Sequence, residues 1–110
     1  MNFLNMSALD IAQHIANGST SSVAVTQFFI NRIESLAELN CISDLFAEQA
    51  LAQAQHLDDL TAQGKACSIF HGTPIILKDS IDVAGHVSQA GTVYLSEKAD
   101  NRYKNKEARI

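Results

Sequence analysis

The residues most suited to chemistry lie between positions 70 and 91, a stretch that holds the only proline and three of the five glycines. Gly72 and Pro74 punctuate its start, Gly85 and Gly91 its end. Between them, Ile75-Ile76-Leu77 is apolar without alternation, and Lys78 follows directly. A short apolar run bounded by turn signals predicts a strand covered on both faces, with Pro74 as its first residue. Lys78 then falls at the strand's carboxyl end, where open α/β sheets bind ligands. A free lysine titrates near ~10.4 and is protonated at neutral pH. To act as a base it must be desolvated or set beside another cation, and a ~3-unit depression costs ~4 kcal/mol. On these grounds alone, an ion pair of Lys78 with Asp79 or Asp82 is the favoured reading.

Other reactive residues have plainer readings. Ser19-Thr20-Ser21-Ser22 lacks flanking glycines on both sides and precedes a helical pattern, so it reads as a turn plus an N-cap from Ser21 or Ser22. His56, Asp58 and Asp59 do not converge at their spacing and read as a solvated helix face. His71, Asp79, Asp82 and His86 have the chemistry for zinc or iron, but their spacing fits no named site, so no metal is expected. Cys41 and Cys67 fit no metal or redox spacing. Two thiols in a reducing compartment are favoured over a disulfide.

The order of residues says more than their types. His71-Gly72-Thr73-Pro74-Ile75, Lys78-Asp79, Ile81-Asp82-Val83-Ala84-Gly85 and Ala90-Gly91 together resemble the opening motif of the amidase signature family. The region before it resembles that family's helical N-terminus. The resemblance implies amide hydrolysis by a serine nucleophile, a bridging serine and a lysine base, with no metal or other cofactor. Lys78 stands at the lysine's place and is the one catalytic residue it assigns here. Ser80 stands where many members have Asn, and Gln89 where a small hydroxyl residue is common. The Gly/Ser-rich segment that supplies both serines and the oxyanion donors has no counterpart in residues 92–110.

Three helices are expected to carry this stretch. Ser7 caps the first, with Ala8, Ile11, Ala12 and Ile15 on one face and Asn17-Gly18 at its end. His14 reads as a surface or boundary residue on it. The second runs from Val23 to Leu39, with Val25, Phe28, Phe29, Ile33 and Leu36 turned inward and Asn40 ending it. Cys41-Ile42-Ser43-Asp44-Leu45-Phe46 alternates in part and predicts a strand. The third helix runs from Ala47 to Gln63, with Ala47, Ala50, Leu51, Ala54, Leu57 and Leu60 at helical spacing and Gly64 as its cap. Thr92-Val93-Tyr94-Leu95-Ser96 reads as a short strand or turn. The fold class expected from the resemblance is α/β, with N-terminal helices and the first strands of a mixed sheet flanked by helices, incomplete in this chain. Residues 1–64 form the helical part, 65–96 the lysine-bearing strand and loop, and 97–110 the charged start of a truncated element or a tail.

Composition narrows the partners. A chain of 110 residues, 46% hydrophobic, forms one domain at most and has enough apolar side chains for a core. The net charge of −4 argues against a general nucleic-acid binder. No window is apolar enough to span a membrane, and the first residues lack a signal peptide's basic and apolar regions, so a cytoplasmic protein is expected. Two functions follow. The first is an N-terminal fragment of an amidase, inactive by itself, whose complete form takes a small-molecule amide. The second is a non-catalytic remnant that binds a relative or a partner subunit.

Overall fold

The computed structural model describes residues 1–78, Ile81 and Ala84. The chain divides into two units, Met1–Ile75 and Ile76–Ile110. The first is built on α1 (Ala8–Ala16), α2 (Ser22–Ser35) and α3 (Ala47–Ala62), with 3-10 turns at Phe3–Asn5 and Ala37–Leu39.

Each helix begins and ends for a local reason. Ser7 Oγ accepts the Asp10 N–H at 3.1 Å, and Asp10 Oδ2 accepts the Ser7 N–H at 3.2 Å, a reciprocal cap that satisfies two orphan donors of α1. At its other end the Gly18 N–H reaches Ile15 O and the Ser19 N–H reaches His14 O, a Schellman closure. α3 ends the same way, with Gly64 N–H on Thr61 O and Lys65 N–H on Leu60 O. Ser21 caps α2 by accepting the Ala24 N–H at 3.0 Å.

α2 stops four residues before the expected end. Ser35 Oγ donates to Arg32 O at 2.8 Å, and Leu36 leaves helical geometry at φ −114° and ψ 23°. Such side-chain bonding to a nearby carbonyl competes with helix continuation. The chain tightens into the Ala37–Leu39 turn, and Asn40 closes it in the left-handed region at φ 51°.

Phe3, Ile11, Ile15 and Val25 form the core, with Met6, Phe28 and Phe29 packed against it. Phe3 and Phe28 meet edge to face, with centroids 5.2 Å apart. α2 packs against α3, where Ala54 is 2% exposed and its small side chain permits close approach. His14 lies at the boundary, with its Nδ1 buried and unpaired.

The two strand expectations that fall on described residues are not met. Residues 41–46 and 75–77 carry no regular structure, and no strand forms among the described residues. Strand pairing needs a non-local partner for each N–H and C=O, and an apolar run alone does not supply one. Ile75 and Ile76 are 63% and 70% exposed rather than covered on both faces. The described architecture is therefore helical. Residues 92–96 and 97–110, expected as a strand or turn and a charged element, lie outside the described residues. No helix among the described residues is long and apolar enough to cross a membrane.

Candidate functional site

The motif's first two residues are held by all three helices. The imidazole of His71 is 8% exposed and uses both ring nitrogens. Nδ1 accepts the Cys67 N–H at 3.0 Å, so Nε2 carries the proton and donates to Leu57 O of α3 at 2.9 Å. The same carbonyl accepts the Thr61 hydroxyl at 3.0 Å. Gly72 follows at φ +87°, and a Cβ built on it would meet Ile15 Cγ2 of α1 and Ser22 Cβ of α2, each at 3.2 Å. Only glycine supplies both the left-handed backbone and this approach. The Gly72 carbonyl accepts the Ser22 hydroxyl at 2.6 Å in a buried bond.

Ser22 and Asp58 have roles that spacing along one helix does not reveal. Ser22 is 1% exposed and does not cap α2; Ser21 does. Asp58 is not on a solvated face. Its carboxylate accepts the Ser22 N–H at 2.7 Å and the Val23 N–H at 3.0 Å, filling the N-terminus of α2 from α3. A signal was present for both. Asp58 lies four residues after buried Ala54, and Ser22 three before buried Val25, so each continues an inward face. His56 is exposed, and Asp59 pairs with Gln55, as a wet face predicts.

The serine cluster is structural as expected: Ser19 pairs with Asn17, Ser21 caps and Ser22 bonds Gly72. His71 has no free nitrogen for a metal, and no group of three metal-ligating side chains occurs among the described residues. Asp79, Asp82 and His86 lie outside the described residues, as do Ser80 and Gln89. Cys41 and Cys67 are free, exposed thiols.

In the second unit Lys78 is exposed, and its carbonyl accepts the Ile81 N–H at 2.9 Å in a turn. It has no carboxylate partner among the described residues. The Amidase family model matches residues 24–104, which takes in α2 from its third residue, α3, the His71-Gly72 anchor and Lys78. The chain belongs to the amidase family. An acetamidase of Emericella nidulans is 38% identical over 96 residues, covering 86% of this chain and 18% of its own length. An acetamidase of Aspergillus oryzae is 42% identical over 83 residues, covering 74% of this chain and 15% of its own. A glutamyl-tRNA(Gln) amidotransferase subunit from Protochlamydia amoebophila is 32% identical over 91 residues, covering 82% and 19%. The chain thus spans less than a fifth of the length of these amidase relatives.

Proposed function

We propose that these residues form the N-terminal, lysine-bearing portion of an amide hydrolase of the α/β amidase type, with Lys78 as its general base. The observation that carries the reading is the family match across residues 24–104, inside which Lys78 keeps its place in an ordered motif. In the mechanism that membership implies, Lys78 accepts a proton from the nucleophilic serine through a bridging serine. The serine attacks the amide carbonyl, the amine leaves, and water releases the acyl group. The substrate is a small-molecule amide, and the two free thiols fit a cytoplasmic setting. No cofactor enters this scheme.

Lys78 is exposed here, with no serine or oxyanion donor of the proposed mechanism beside it among the described residues. A base works only when held within reach of the group whose proton it takes. Both serines and the oxyanion donors are missing from residues 1–110, and each lost donor costs ~3 kcal/mol or more of transition-state stabilisation. Purified as these residues alone, the chain is expected to release no ammonia from acetamide or other short amides. Release that vanishes in Lys78→Ala would overturn this.

A second reading is a non-catalytic module that binds a relative or partner subunit. Ile69, Phe70 and Ile75 of the first unit favour it, being 72%, 50% and 63% exposed. It predicts a stable complex whose affinity is the same for wild type and Lys78→Ala.

A further inference from the structure

The segment after α3 is attached to the helices by polar bonds more than by packing. Residues 66–70 are all exposed, and only His71 and Gly72 are buried. An open cleft of about 220 Å³ lies beside it, lined by Leu9, Ala16, Thr61, Ala66, Ile69 and His71. Apolar burial therefore contributes little to holding the segment down. What holds it is the His71 bond to Leu57 O and the buried Ser22 bond to Gly72 O.

Ser22 does not act alone. It opens α2, where its backbone N–H has no partner within the helix. Asp58 takes that N–H and the next one, which pins the first turn of α2 to α3 and fixes where the Ser22 hydroxyl points. Asp58 makes no hydrogen bond to the segment itself. We infer that Asp58, Ser22 and the Gly72 carbonyl form one relay, a clamp by which α3 controls release of the motif's first residues. Asp58 is in this sense a positioning residue, acting on the segment through Ser22. The clamp opens locally: residues 66–75 detach while the helices stay folded. This holds whatever the chemistry of Lys78.

Amide hydrogen exchange on the 110-residue chain, followed by NMR, tests it. The Cys67 N–H bonds His71 Nδ1, whose ring is held by Leu57 O, and the Thr73 N–H bonds Phe70 O across Gly72, so both turns lose their support and exchange when the segment leaves the helices. Loss of one buried bond should speed their exchange about tenfold. Ser22→Ala and Asp58→Asn are each expected to do this, and the double variant no more than either alone, because both cut one relay. Ser21→Ala removes an ordinary cap on the same helix turn and should leave both amides unchanged. The inference is overturned if Asp58→Asn leaves the two amides unaffected, or if the two substitutions multiply. It is equally overturned if α1 amides accelerate as much as Cys67 and Thr73, since the opening would then be global.

Discussion

Gly72 shows how two constraints meet at one residue. Its φ of +87° is matched by Gly18 at φ +82°, yet a Cβ at Gly18 would meet nothing within 4 Å, while one at Gly72 would press on Ile15 and Ser22. Gly18→Ala should cost only the backbone strain of about 1–2 kcal/mol. Gly72→Ala adds overpacking of about 1–3 kcal/mol. Urea unfolding of the two variants should rank them in that order, and equal losses would show that Ile15 and Ser22 move aside freely. At this scale the sequence was readable where a residue acts on its near neighbours, as Ser7, Ser21 and Gly64 do. For Asp58 spacing marks only the inward face; its partners lie 35 and 36 positions away, and spacing within one helix does not reveal what packs across from it.

The elements divide along the same line. Helices close their hydrogen bonds within themselves, so periodicity and caps locate α1 and α3 almost to the residue. α2 was overextended because Leu36 continues the apolar spacing while the Ser35 hydroxyl diverts the Arg32 carbonyl. Residues 41–46 and 75–77 have strand-like composition, but a strand exists only with a partner, and none is formed among the described residues. The α2–α3 seam gives a prediction of its own. Ala54 is 2% exposed where these helices meet, so Ala54→Leu should force them apart and cost about 1–3 kcal/mol. Thermal unfolding followed by circular dichroism checks this, and an unshifted midpoint would mean the seam has room that the burial of Ala54 denies.

For the whole molecule, what matters is how much of an amidase lies within these residues. They carry three helices, the anchored His71-Gly72 and Lys78 within a family match over residues 24–104, and the relatives are more than five times the aligned length. Within the first unit that anchor ties His71 and Gly72 to the three helices. The direct measurement is capture of the native polypeptide from its source cells with an antibody to residues 70–91, comparing wild type with Lys78→Ala at the native locus. Its size and its release of ammonia from short amides are then read together. The expected result is a species several times larger than 11.9 kDa whose hydrolysis falls by about 10²–10⁴ in the variant, the usual contribution of a general base. Hydrolysis that persists unchanged in Lys78→Ala, or capture of an 11.9 kDa species alone with no hydrolysis, would contradict it.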